Sequence, residues 1–181
     1  MSTQTAIAIV GMGAILPDAF DVATFWKNIL AKKDSITEVP ADRWPTNLYY
    51  DPDPLAEDKT YSKIGAFVKG YQLDPFKIGL AIPPRVLALM DPAQQWGLAA
   101  AHQALKDFGY PERPLNPERV AVILGNANAG EGHYRSTFRL LLPEYLESLR
   151  SQAGFQSLPA STQEAILSGI TGDIRSKIPL I

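Results

Sequence analysis

The sequence predicts an α/β fold with a short, mainly parallel sheet, flanking helices and an irregular insertion. Three observations carry this. Ala6 to Val10 and Val120 to Leu124 are continuous apolar runs rich in β-branched residues, the pattern of strands covered on both faces. Each run is followed by glycine, at Gly11 and Gly125, and then by a segment with helical periodicity. Between the two runs lies enough chain for a crossover helix, which favours parallel pairing of the two strands.

The elements follow in order. After Gly11 and Gly13, residues Val22, Phe25, Trp26, Ile29 and Leu30 recur at helical spacing, so a helix is expected from Val22 to about Lys32. Asp21 stands where a carboxylate can accept a hydrogen bond from a first-turn amide, and Lys32 and Lys33 stand at the carbonyl end. From Asp34 to about Phe76 the chain is punctuated by Pro40, Pro45, Pro52, Pro54 and Pro75, and no helical stripe survives. This reads as an insertion, approximately residues 34–76, with Ile64 to Val68 as a short strand or hairpin arm.

Beyond Pro83 and Pro84, residues 85–90 form one or two turns. Asp91 then caps a longer helix with Pro92 at its first position, and Gly109 ends it in a left-handed conformation. Leu98, Ala101, Leu105 and Phe108 are its expected buried stripe, while Ala99, Ala100, Ala101 and Ala104 keep its surface thin. Tyr134, Phe138, Leu141, Leu142, Tyr145 and Leu149 form another helical stripe, bent near Pro143, and a last short helix is expected from Pro159 to about Ser168.

Composition limits the function classes. The 181 residues suit a single domain by length. Lys and Arg total 17 against 19 Asp and Glu, a formal charge of -2, which argues against a general affinity for nucleic acid or anionic membranes. Without a cysteine and with only His102 and His133, the chain offers no disulfide, no thiolate nucleophile and no Cys/His zinc cluster. The longest apolar run, residues 6–16, is interrupted by glycines and too short to span a bilayer, and residues 1–5 carry no basic charge. A cytoplasmic location is the expectation.

Candidate chemistry is sparse. Gly11 and Gly13 between strand and helix invite a dinucleotide-binding reading, but that fingerprint needs a third glycine where Leu16 stands, so a plain turn is favoured. Asn126 and Asn128, with Gly125 and Gly130, follow the second strand at its carboxyl end, where ligands of open α/β sheets bind; they are also ordinary turn residues. His102 lies within an alanine-rich helical stretch and reads as a helix-face residue. His133 beside Glu131 lacks a third group to orient an acid/base pair. No catalytic, cofactor-binding or metal residue is assigned, and the substrate-binding residues are left open.

Four ordered stretches resemble the β-ketoacyl synthases (ketosynthases) of fatty acid and polyketide synthesis. They are Ile7 to Gly13 with Leu16, Pro17, Phe25 and Trp26; Ser35 to Trp44; Met90 to Gln95 opening a helix that ends at Phe108, Gly109 and Tyr110; and Val120 to Gly125. The resemblance covers residues 6–125. Further on, Gly130 to Arg135 and Pro143 to Tyr145 are similar to the branch of iterative polyunsaturated fatty acid and enediyne polyketide synthases.

The resemblance implies the first part of the N-terminal half of a thiolase-like fold, and a homodimer. The reaction it implies is decarboxylative Claisen condensation with a malonyl unit carried on the phosphopantetheine of acyl carrier protein. The family's nucleophile is a cysteine on a sharp strand-to-helix turn, assisted by two histidines and a lysine further along. None of these matches a residue of this chain, so the 181 residues are expected not to condense anything by themselves. Two other readings stay open: a non-catalytic interaction piece docking on a synthase, and a nucleotide-binding α/β protein. As an incomplete domain the chain is expected to be marginally stable or to self-associate.

Overall fold

A computed structural model describes residues 6–126 and 131–178. The chain divides into two compact units. One holds the described residues through Ala81 together with Gln95–Val120; the other holds Ile82–Gln94 and the described residues from Ala121 onward.

In the first unit, α1 spans Val22–Leu30. Asp21 caps it as its position requires: one carboxylate oxygen accepts from the Thr24 amide at 2.7 Å and the other from the Thr24 hydroxyl at 2.8 Å. The apolar stripe of α1 is real but uncovered: Phe25, Trp26, Ile29 and Leu30 are all exposed. Within the proline-punctuated stretch, β1 (Ile36–Glu38) pairs antiparallel with β2 (Ile64–Ala66), Thr37 facing Gly65. Between them α2 forms a single turn, Thr46–Tyr49. Arg43 reaches across to donate to the Val68 carbonyl at 3.1 Å and lies over the Phe67 ring.

The centre of this unit is the body of helix α4 (Pro92–Phe108) from Gln95 onward. Gly109, at φ 96°, ends it in a Schellman motif, its amide reaching Lys106 and the Tyr110 amide reaching Leu105. The face that packs differs from the expected Leu98, Ala101, Leu105 and Phe108 stripe. It is built from Ala99, Ala100, Gln103, Ala104 and Asp107, with Ala99 only 3% exposed while Leu105 is exposed. The reason is what lies on it: a glycine-containing backbone segment, which needs a thin surface rather than a bulky one.

The expected parallel sheet is the main correction. Among the described residues the only sheet is the two-stranded one formed by β1 and β2. Residues 6–10 and 120–124 carry no ladder, and their side chains are bare; Ile7 is 95% and Ile123 91% exposed. β-branched residues favour a pleated, half-buried surface but do not create one. A strand exists only where a second backbone meets its amides and carbonyls. Beyond residue 10 those amides turn instead to side chains of α4.

In the second unit, α3 (Pro84–Leu89) is a short helix before Asp91. The Asp91 carboxylate accepts from the Ala93 amide at 2.9 Å while Gln94 reaches back to the Asp91 amide at 3.1 Å, a reciprocal capping box on the first turn of α4. The expected helix bent near Pro143 is two helices, α5 (Glu131–Leu140) and α6 (Leu142–Arg150), with Pro143 in the first turn of α6. A single turn, α7 (Ala153–Gln156), buries Phe155, which with Leu142 of α6 makes up the buried apolar residues of this unit among those described. The last helix, α8, runs Ala160–Lys177, well past the expected end near Ser168.

Candidate functional site

The most closely built region is the seat of residues 11–20 on α4. A Cβ placed on Gly13 would stand 2.0 Å from the Ala100 carbonyl oxygen, and one on Gly11 would stand 2.2 Å from that of Ala104. Both glycines are therefore required for backbone to lie flat on helix backbone, a tighter demand than the plain turn expected. The amides that follow each glycine are committed: Met12 donates to Asp107 Oδ2 at 2.9 Å and Ala14 to Gln103 Oε1 at 3.1 Å. Gln103 closes the arrangement by donating from Nε2 to the Phe20 carbonyl at 2.8 Å. Ala19, 1% exposed, is buried here, and Phe20 meets Tyr71 edge-on at 5.2 Å. Burial raises the Tyr71 pKa above its ordinary value.

This geometry bears directly on the nucleotide reading. A pyrophosphate needs free first-turn amides and a glycine face open to the ligand. Here the glycine face is pressed against α4, and the Met12 and Ala14 amides already have acceptors. The arrangement opposes dinucleotide binding.

The rim of the seat is polar. Asp18, at φ 56°, pairs with Lys33 at 3.1 Å, and its backbone carbonyl accepts from the Asn28 amide group at 3.0 Å. Its carboxyl is held below the ordinary value by hydrogen bonding to Lys33 and then to Ser35. Asp21 is likewise lowered, by the Thr24 amide and then the Thr24 hydroxyl. These are carboxylates stabilised as anions, suited to capping and pairing rather than to carrying a proton.

The other candidates are scattered. His102 is half-buried on α4, whereas His133 is exposed on α5 against the edge of Tyr134. Asn128, Gly130 and the Glu131 side chain lie outside the described residues, and Gly125 meets nothing within 4 Å of a built Cβ. Among the described residues there is no group of three His, Cys, Asp or Glu side chains able to hold a metal. Open hollows lie among the described residues, two of them as follows. One, about 530 Å³, is lined by Trp44, Tyr49, Asp58, Lys59 and Thr60; the other, about 520 Å³, lies between α6 and α8 with Arg150 and Arg175 among its lining. The hydroxyls lining them that have a described hydrogen bond donate to backbone carbonyls, Ser168 to Ala165 and Thr60 to Ser62, and not to a side-chain base. No described helix is long and apolar enough to cross a membrane.

Residues 4–174 match the family of the β-ketoacyl synthase N-terminal domain, and the chain belongs to that family. The match extends well past residue 125, where the readable motifs end. The thiolase-like fold class comes with the family, although the parallel strands expected at 6–10 and 120–124 are not formed among the described residues.

Its relatives are polyketide synthases. The chain is 39% identical over 125 residues to polyketide synthase ThaG of Burkholderia thailandensis, covering 68% of this chain and 2% of that protein. It is 35% identical over 135 residues to polyketide synthase PksL of Bacillus subtilis, covering 74% of this chain and 3% of that protein. It is 38% identical over 126 residues to polyketide synthase PksN of the same bacterium, covering 68% and 2%. The chain thus spans only a small part of each of these relatives. Among solved structures, the oxazolomycin ketosynthase domain OzmH KS7 of Streptomyces albus aligns with 55% of this chain and 17% of its own, at 34% identity and a TM-score of 0.47.

Proposed function

We propose that this chain is the leading part of a ketosynthase domain of a polyketide synthase, supplying framework rather than chemistry. In the complete domain the reaction is decarboxylative Claisen condensation of an acyl group with a malonyl unit on phosphopantetheine-bearing acyl carrier protein. The working assembly is a cytoplasmic homodimer. The observation that carries this reading is the family match over residues 4–174 in a chain with no cysteine. A ketosynthase without its thiol nucleophile has nothing to hold the acyl group, and no binding interaction elsewhere replaces that bond. The exposed apolar runs 6–10 and 120–124 support it as well, being segments whose covering surfaces lie elsewhere. Placement in the polyunsaturated fatty acid and enediyne branch rests on Gly130 to Arg135 and Pro143 to Tyr145 alone.

The test is to read the gene beyond the codon for Ile181. The proposal expects the frame to continue to a cysteine in a Gly/Ala-rich turn followed by two histidine motifs. An immediate stop codon would overturn it in favour of the second reading, a non-catalytic interaction piece. That reading draws on exposed Tyr134, Phe138, Leu140 and Tyr145 on α5 and α6.

A further inference from the structure

We propose that Asp91 is a two-ended clasp, a positioning residue that fixes the start of α5 as well as the start of α4. Its Oδ1 accepts from the Ala93 amide in the first turn of α4, at 2.9 Å. Its Oδ2 accepts from the amide of Gly132, the second residue of α5, at 3.0 Å across 41 residues of sequence. A carboxylate has two oxygens and lone pairs enough for both donors, and only Asp among the preferred cap residues presents two anionic acceptors.

The start of α5 is assigned to this bond because it is a charge-assisted contact to a first-turn amide. His133, Tyr134 and Arg135, which follow Gly132, are exposed, so apolar packing does not anchor this end. A first-turn amide has no intrahelical acceptor, and the Gly132 amide is satisfied by Asp91 instead. The Asp91 backbone is itself held by Gln94, so the clasp is anchored before it reaches outward. A carboxylate at two helix N-termini is also favoured by both dipoles. The inference stands on this geometry alone, whatever the complete protein catalyses.

Amide hydrogen exchange of the 181-residue chain, resolved by residue, tests it without any mutation. As a first-turn amide, Gly132 should exchange at the unprotected rate unless clasped. The clasp predicts protection of about ten-fold or more, the scale of a hydrogen bond to a charged group. Asp91→Ser keeps one oxygen for α4: Gly132 should return to the unprotected rate while Ala93 stays protected. Asp91→Ala should release both. Gly132→Ala keeps the amide and places its Cβ at an ordinary 3.5 Å from Oδ2, so protection at residue 132 should persist. Free exchange of Gly132 in the unaltered chain overturns the proposal, as does protection that survives both substitutions of Asp91. If Asp91→Ser releases Ala93 and Gly132 together with helix content unchanged, the two-ended account is likewise overturned. Should the Asp91 variants fail to fold, the unaltered chain still decides.

Discussion

Two segments of this protein read almost alike and meet different fates. Residues 6–13 and 120–125 are each an apolar, β-branched run ending in glycine. Past the first run, backbone is pressed onto α4: a Cβ on either glycine would stand 2.2 Å or less from a helix carbonyl oxygen, and its amides are bonded to Gln103 and Asp107. Past the second, Gly125 meets nothing, and Val122, Ile123 and Leu124 lie bare. The difference shows that an apolar run and a glycine state a capacity. A facing surface of the right depth turns it into structure, and for the first run the alanine face of α4 provides one.

The sharpest way to break the comparison is to add a methyl group at each end of it. Gly13→Ala drives a Cβ into the Ala100 carbonyl and should cost about 3 kcal/mol, the upper range for overpacking. Gly125→Ala should change stability by less than about 0.5 kcal/mol. Urea titration checks both, and equal effects would end the distinction. Next in size is the hydrogen-bonding of the seat. Gln103→Ala orphans the Ala14 amide and the Phe20 carbonyl and should cost about 2 kcal/mol in the same titration.

The bare segments predict an effect on association instead. Ile123→Lys should leave the unfolding midpoint in place while lowering self-association seen by light scattering, since the side chain is 91% exposed and buries nothing within the chain. A fallen midpoint would mean that the segment is already covered.

The smallest effect concerns the cap of α1. Asp21 has a lowered pKa when folded, so its contribution is complete above the ordinary carboxylate value and is lost as pH falls through the folded one. Asp21→Ala should cost about 0.5 kcal/mol at neutral pH, the low end for an exposed cap, and progressively less as pH falls through the folded value. Stability measured across that window checks the sign.

Local signals were legible in the sequence because they act over a few residues. The Asp21 cap, the start of α4 at Asp91 and Pro92, and its end at Gly109 all stand where cap chemistry places them. What depends on distant backbone was not legible. The packing face of α4 is set by a segment some 90 residues away, and the choice of Ala99 and Gln103 over Leu105 reflects that partner rather than any periodicity. The strand pairing failed for the same reason. α8 was read too short because its apolar residues form no strong stripe, so it gives little periodic signal. The reach of Asp91 to Gly132 spans 41 residues and leaves no trace in spacing. At the site, the absence of a thiol nucleophile was readable from composition alone; that Met12 and Ala14 have no amides to offer a phosphate was not.

A condensation assay tests most directly the proposal that this chain supplies ketosynthase framework without the chemistry. The chain would be incubated with acyl and malonyl carrier proteins, alone and then co-expressed with the cysteine-bearing remainder of a related ketosynthase. The account predicts no β-ketoacyl product from the chain alone and product when the remainder is supplied. Condensation by the 181 residues alone would contradict it.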